Sequence, residues 1–364
     1  MNVDHLYIHI PFCDSKCDYC AFYSETASTK ELKQTFLQKL SDDLSKQSAE
    51  LQNLKTIFIG GGTPSALSVQ ELEQLFNSLS KHIDLKSLSE FSIENNPESL
   101  SEEKIALYSK FHVNRISIGV QSFNPEFRKT IGRKASAQNI EQLITQLINH
   151  GIRNINLDLI YGIPGQKLSD WLNDLTQAAK LPISHISAYS LTIEEGAQLA
   201  KDKTVVNDDE AVEMQLEGIE FLKKNGFNRY EISNYCRDGK KCLHNDGIWH
   251  GETYLGLGAN AASFDGIHRF QQLELPDWLD GEPPTFDIIS PIERAKELFV
   301  IGLRTTNGWQ IDRFEQVSNL PLDNLYLTEL ESLIRDKFLK KEQNRIFPTA
   351  KGLLYADYVA VELI

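Results

Sequence analysis

Three of the five cysteines in this 364-residue chain, Cys13, Cys17 and Cys20, fall within eight residues in the order Cys-x3-Cys-x2-Cys. In a large acidic chain with an odd cysteine total, thiols crowded onto one loop point to metal or redox chemistry before disulfides. Iron–sulfur clusters are held by thiolates, usually four of them. Three ligands to a four-iron cluster leave one iron open, able to coordinate and polarise a small molecule. The alternatives are a zinc loop or three unpaired thiols. Zinc sites combine a C-x2-4-C pair with a second pair further on, and the five residues between Cys236 and Cys242 are a wide gap for that pair. Those two cysteines read as structural thiols.

The elements that must carry this loop read as strands alternating with helices. Strands are expected at Leu6 to Ile10, Ile57 to Ile59, Phe91 to Glu94, Arg115 to Val120, Asn154 to Ile160 and Ser184 to Leu191. Between them, apolar residues recur at helical spacing: Leu32, Phe36, Leu40 and Leu44 in a helix from about Ser28; Leu72, Leu75, Phe76 and Leu79 in one from near Ser68; Ile140, Leu143, Ile144 and Leu147 in one from about Ser136. Ser101 is a plausible cap for another. Parallel strands need crossovers, and these are usually helical. In β/α barrels the chemistry gathers at the C-terminal ends of the strands. Here the cysteines follow the first strand, Gly60 to Pro64 the second, Glu94 ends the third, Gln121 the fourth, and Asp158 lies late in the fifth. These residues would converge on one mouth, so the fold expected is α/β, an incomplete (β/α)6 barrel over residues 1–200. Residues 201–284 read as an extension, with a helix from Asp208 to Asn225, a strand at Tyr230 to Ile232 and a long loop over 236–268. Gly281 to Pro284 is the linker candidate. Residues 285–364 read as a small helical and winged module, with a helix over Ile292 to Leu303 and another from about Ala350.

Composition narrows the function. With 41% hydrophobic and 24% charged residues the chain is an ordinary globular protein rather than a disordered one. A net charge of −14 argues against nucleic acid as a partner, because phosphate affinity rests on clustered Lys and Arg. No apolar run approaches the roughly 20 residues of a spanning helix, which leaves peripheral association with a membrane open. Met1 to His5 show no basic run leading into an apolar stretch, so no signal peptide is expected and the location expected is cytoplasmic.

The segment from Tyr7 to Phe22, YIHIPFCDSKCDYCAF, resembles the signature of radical S-adenosylmethionine (SAM) proteins. More narrowly it resembles the branch that holds oxygen-independent coproporphyrinogen III oxidase and the HemW-type heme chaperones. GGGTP at 60–64, GVQSF at 119–123, DLIYGIPGQ at 158–166, LGLGANAASF at 255–264 and GLRTT at 302–306 match that branch as well, so the resemblance covers nearly the whole chain. It implies a [4Fe-4S] cluster on Cys13, Cys17 and Cys20, with SAM chelating the open iron. It also implies cofactor contacts at Tyr7, Tyr19, Gly61, Gly62, Thr63 and Glu94. Tyr19 can lay an aromatic face against adenine. Gly60 to Gly62 let the backbone approach the methionine end of SAM and offer N–H groups to its carboxylate; Thr63 adds a hydroxyl, and Glu94 would take the amino group or ribose. Gln121, Arg133 and Asp158 match positions that bind a second SAM in the oxidase.

The branch contains both an enzyme and a chaperone. The oxidase carries a fourth cysteine two residues after the last cluster ligand, where this chain has Phe22, and an N-terminal extension where this chain has five residues ahead of Leu6. Both differences point away from coproporphyrinogen decarboxylation. His244-Asn245-Asp246-Gly247-Ile248-Trp249 resembles the HNxxYW motif associated with heme binding in the chaperones, with Ile248 in place of Tyr. An imidazole is a standard axial ligand of heme iron, and an indole can pack on the porphyrin face; Cys242 and His250 lie close enough in sequence to be rival ligands. The resemblance therefore implies a chaperone that binds cluster, SAM and heme and passes heme to an acceptor protein. The alternative is the radical-SAM decarboxylase acting on coproporphyrinogen III. An RNA-modifying radical-SAM enzyme fits poorly with the acidic charge.

Overall fold

The computed structural model describes residues 3–26, 28–133, 139–326 and 328–364. β1 (His5–Ile10) runs into the cysteine loop, and α1 (Lys30–Lys46) begins at Thr29, whose hydroxyl accepts the Leu32 N–H. After β2 (Thr56–Gly61), α2 (Val69–Ser80) opens on a capping box in which Ser68 and Glu71 satisfy each other's backbone N–H. There follow β3 (Glu90–Asn95), α3 (Glu102–Lys110), β4 (Arg115–Gln121), α4 (Pro125–Thr130), α5 (Ile140–Asn149), β5 (Asn154–Tyr161), α6 (Leu168–Lys180) and β6 (His185–Ser190). The helix start expected near Ser136 lies outside the described residues; α5 buries Ile140, Leu143, Ile144 and Leu147 as its spacing requires.

β1 to β6 lie side by side in chain order, each pair parallel. The chain then adds α7 (Gln198–Lys201), α8 (Asp208–Lys224), β7 (Asn228–Arg229), β8 (Asn234–Cys236), α9 (Leu243–Trp249), β9 (Tyr254–Leu257), β10 (Ala262–Phe264), β11 (Arg269–Gln271), α10 (Leu275–Asp280) and β12 (Thr285–Phe286). β9 pairs parallel to β1 on its free side, and β8 pairs antiparallel to β6. β1 and β6 do not pair, so the barrel stays open within a twelve-stranded sheet. The strand expected at Tyr230 to Ile232 is instead the turn between β7 and β8, where the buried Glu231 carboxylate accepts the Ser233 N–H and the Asn234 amide. The long loop expected over 236–268 is also corrected: it contains α9, β9 and β10.

Strand alternation explains why the barrel has an inside. Leu6, Ile8, Ile10, Ile57, Ile59, Phe91, Ile93, Ile116, Ile118, Ile155, Leu157 and Ile186 belong to one continuous apolar core with the helices. The intervening positions are polar or aromatic: His5, Tyr7 and His9; Thr56 and Phe58; Glu90, Ser92 and Glu94; Arg115 and Ser117; Asn156 and Asp158; His185 and Ser187. Since successive side chains on a strand point to opposite faces, this second set turns inward. The chain thus builds a polar lumen where many β/α barrels carry stacked aliphatic layers.

The rest forms a second core. α11 (Pro291–Gly302), β13 (Trp309–Gln310), α12 (Ile311–Ser318), α13 (Leu322–Leu325), α14 (Glu329–Arg335), β14 (Leu339–Glu342), β15 (Arg345–Pro348), α15 (Ala350–Leu354) and α16 (Ala356–Leu363) pack around Phe299, Trp309 and Phe314. β13, β15 and β14 make a small antiparallel sheet. This module holds α9 from outside. Arg304 binds the Glu231 carboxylate at 2.9 Å and lies over the Trp249 ring at 4.6 Å, and the His250 ring meets Trp309 edge-on at 5.3 Å.

Candidate functional site

The cysteine loop leaves β1 and is tied down at several points. Cys13 N–H donates to the Glu25 carbonyl (3.0 Å), Asp18 N–H to Ile131 (3.1 Å) and Leu199 N–H back to Asp18 (2.9 Å). All three thiols are half-buried. Burial pushes the Cys17 and Cys20 thiols above their ordinary value; Arg133 pulls Cys17 back, the Phe22 N–H does so for Cys20, and the neighbouring thiols oppose both. Thiols arranged this way favour the protonated form alone, and a coordinated cation reverses that preference. Among the described residues no three His, Cys, Asp or Glu side chains draw together as ligands of a single ion. A four-iron cluster instead takes each thiolate on a separate iron. One loop, three half-buried sulfurs and the Thr63 hydroxyl 3.4 Å from Cys13 Sγ fit such a cluster.

Around this loop the mouth assembles most of the other residues singled out from sequence. Asn96, just past β3, joins two of them: its amide donates to Thr63 Oγ1 (3.2 Å) and its carbonyl accepts from Arg133 Nη1 (2.6 Å). Arg133 Nη2 reaches the Tyr19 hydroxyl at 3.4 Å, while Arg133 Nε is buried with no hydrogen-bond partner among the described residues. Gln121 is buried at the end of β4 with a left-handed backbone (φ 66°), beside a register irregularity opposite β5. Strained conformations of this kind cluster at functional sites. Asp158 accepts from Ser117 (2.9 Å) and Asn156 (2.8 Å). Burial, reinforced by Asp158, pushes the Glu94 carboxyl up to about 8, and its Oε2 accepts the Gly61 N–H at 3.3 Å. Tyr7 donates to or accepts from His9 Nδ1 at 3.1 Å, and burial raises its hydroxyl.

The glycine segment departs from expectation in one respect. Besides the Gly61 contact to Glu94, the Gly62 and Thr63 N–H groups donate to the Ile10 and Phe12 carbonyls, each at 2.8 Å. These donors are already engaged, so the segment supplies room rather than free N–H groups. Gly61 has φ +110°, and a Cβ there would meet the His9 ring at 2.8 Å.

His244 lies elsewhere. The sequence placed it in a loop; the structure puts it in the first turn of α9, 2% exposed, under the N-terminal ends of β1 to β3. Its Nδ1 meets Thr56 Oγ1 at 2.8 Å, and its N–H together with that of Leu243 donates to the Glu90 carboxylate. Phe58 (5.2 Å), His5 (5.4 Å) and Tyr7 (6.5 Å) surround its ring. Burial holds His244 well below its ordinary value, with His5 and Arg115 acting in the same direction, so the ring is neutral at pH 7. From His5 beside it to His9 at the mouth is four residues of β1, roughly 13 Å at the rise of a strand. Cys242, the first rival ligand, is buried against Glu90, and His250 faces the carbonyls of Asp246 and Gly308.

Known proteins match this architecture. The radical SAM superfamily matches residues 7–178, and the HemN C-terminal domain matches residues 289–355. A protein of Lactococcus lactis called heme chaperone HemW is 33% identical over 95% of this chain and 93% of its own length. Its namesake in Haemophilus influenzae is 36% identical over 97% and 95%, and that of a pea-aphid strain of Buchnera aphidicola 38% over 95% and 94%. The chain belongs to the HemW family. Coproporphyrinogen III oxidase (HemN) of Escherichia coli, a radical SAM enzyme, matches all of this chain and 90% of its own with a TM-score of 0.84 at 21% identity, which shows that this chain shares its fold.

Sequence reasoning missed Asn96, Thr56, His5, Glu90 and Arg115. Asn96 was within reach as a polar residue directly after a strand end. The others open their strands, where a polar residue reads as a solvated terminus; their burial follows from α9 closing over them, and sequence spacing carries no trace of that.

Proposed function

We propose that this chain is a heme chaperone: it binds a [4Fe-4S] cluster, SAM and heme, and passes heme to an acceptor protein. The observation that carries the reading is relatedness over nearly full length to proteins named heme chaperones. Phe22 supports it, being 71% exposed at the position where the oxidase pattern has a fourth cysteine. Heme is cargo here, so the role is binding and transfer rather than turnover.

In this reading Cys13, Cys17 and Cys20 hold the cluster, which supplies an iron with one open coordination position and one-electron reducing power. Tyr7, Tyr19, Gly61, Gly62, Thr63 and Glu94 surround SAM beside it. Glu94 holds its proton near neutral pH, on Oε1 because Oε2 accepts the Gly61 N–H, and releases it when the ammonium group of SAM docks alongside. Arg133, tethered by Asn96 and Tyr19, turns its free Nε toward anionic groups. Gln121 and Asp158 complete the wall. For His244, 2% exposed behind Phe58, His5 and Tyr7, to contact heme, α9 must first lift from the barrel floor.

The test is a titration of the anaerobically reconstituted protein with hemin, followed by the Soret band, with His244→Ala alongside. One heme per chain, weakened in the variant, is expected. Anaerobic conversion of coproporphyrinogen III to protoporphyrinogen IX would overturn the reading in favour of the oxidase.

A further inference from the structure

Two short helical turns stand behind the mouth, one after β2 (Pro64–Ala66) and one after β3 (Pro97–Ser99). Each is preceded by a residue type that ordinarily caps a helix with its own side chain, Thr63 and Asn96. Neither side chain caps its turn. They bond instead to each other, the Asn96 amide donating to Thr63 Oγ1 at 3.2 Å, and to the site: Thr63 lies 3.4 Å from Cys13 Sγ, and Asn96 accepts from Arg133 Nη1 at 2.6 Å. Another group must therefore hold the two turns in register.

That group is Lys104, in the first turn of α3. Its Nζ donates to the Ser65 carbonyl at 2.6 Å and to the Ser99 carbonyl at 2.7 Å, one from each turn. Between the same turns, the buried Ser65 hydroxyl meets Ser99 Oγ at 2.6 Å and accepts the Asn96 N–H at 3.0 Å. The position is an unfavourable one for a lysine. A cation in the first turn opposes the helix dipole. Burial pushes the ammonium below its ordinary value, with Asp14 of the cysteine loop acting against that. Among the described residues no carboxylate forms an ion pair with it. Lys110, at the other end of the same helix, shows the ordinary arrangement: it is exposed and paired with Glu73 at 2.7 Å.

We propose that Lys104 is a positioning residue for the SAM site: it bolts the turn after β2 to the turn after β3, so that Thr63 keeps its place beside Cys13 and Asn96 keeps Arg133 in the mouth. The inference rests on the cluster-and-SAM reading above and adds to it a residue that touches neither group. The cysteine loop is tied separately, to Glu25 and Ile131. Loss of Lys104 should therefore loosen the SAM side of the mouth while the cluster stays.

The first arm of the test needs neither cluster nor SAM. In the cluster-free chain, Lys104→Met removes the charge and the donors at similar length, and should speed amide hydrogen exchange over residues 62–67 and 95–100, read by mass spectrometry. Lys110→Met should leave both segments unchanged. The second arm uses the anaerobically reconstituted protein. There Lys104→Met should keep its iron content and brown chromophore and raise the Kd for SAM at least about ten-fold, the worth of one hydrogen bond to a charged group. It should also diminish the change that SAM makes in the EPR spectrum of the reduced cluster, which a role in bulk stability alone would not move. Lys104→Arg, which keeps a cation with several donors, should restore exchange, affinity and spectrum. If Lys104→Met does not fold, Ser65→Ala, which deletes only the hydroxyl between the turns, is read for the same changes. Unchanged exchange in both segments would overturn the clamp. Faster exchange with unchanged SAM affinity and spectrum would overturn its positioning role. Absence of SAM binding by the wild-type reconstituted chain would instead overturn the SAM reading, and the exchange arm, which contains no SAM, keeps the two failures apart.

Discussion

At the mouth of the barrel, Arg133 keeps a buried nitrogen without a partner among the described residues, Gln121 holds a left-handed backbone, and burial pushes the Glu94 carboxyl up to about 8. At the floor of the same strands, Glu90 accepts two N–H groups of α9, Thr56 joins two histidines, and Glu252 binds a lysine as well as His5. The mouth is held short of satisfaction, and the floor is nearly saturated; Arg115 Nε, 4.0 Å from Glu90, is the floor's unpaired atom among the described residues. Unmet polar groups cost stability unless a ligand meets them. Mutations at the mouth should therefore register in ligand binding, and mutations at the floor in folding.

The contrast is broken most severely by removing a cluster ligand. Alanine at Cys13, Cys17 or Cys20 should abolish the brown chromophore of the reconstituted protein, whereas Cys236→Ala should leave the absorption spectrum unchanged; bleaching by Cys236→Ala would refute the three-ligand assignment. Next in size, Glu90→Ala should destabilise the heme-free chain by on the order of 3–5 kcal/mol in urea unfolding, because it strands Arg115 in the interior and frees two helix N–H groups. Asn96→Ala should weaken SAM binding by about 1–2 kcal/mol in equilibrium dialysis by releasing Arg133 and Thr63 together, with less effect on unfolding than Glu90→Ala.

The last effect is a slope with pH. Folded Glu94 keeps its proton up to about pH 8, whereas an unfolded glutamate loses it above 4.5. The folded chain thus binds more protons across that window, so this group's contribution to stability falls as pH rises from 4.5 to 8. Glu94→Gln should flatten that part of the SAM-free stability curve; an unchanged slope would mean the carboxyl is already ionised in the fold.

The six strands and most of their helices were legible because their apolar residues recur with helical or strand spacing, and α5 buries the residues its pattern named. The mouth was legible for a related reason: residues at strand ends converge in any such barrel, so Cys13, Thr63, Glu94 and Gln121 could be grouped without coordinates. Tyr230 to Ile232 misled because a buried Tyr and Ile look like strand, while Glu231 takes local N–H groups and turns the chain. His244 misled because HNDG reads as turn chemistry; Glu90, more than 150 residues away, supplies the buried acceptor that starts the helix. Long-range capping of that kind has no local signature.

The grip of the small module on α9 has a consequence for dissection of the chain. Trp249 lies under Arg304, and His250 rests against Trp309 and the Gly308 carbonyl. A chain shortened ahead of Pro291 would lose all three partners at once and unroof the barrel from below. Altered heme handling in such a truncation would not mark the module as an independent heme carrier, since the module also serves as the outer wall behind the helix that seats His244.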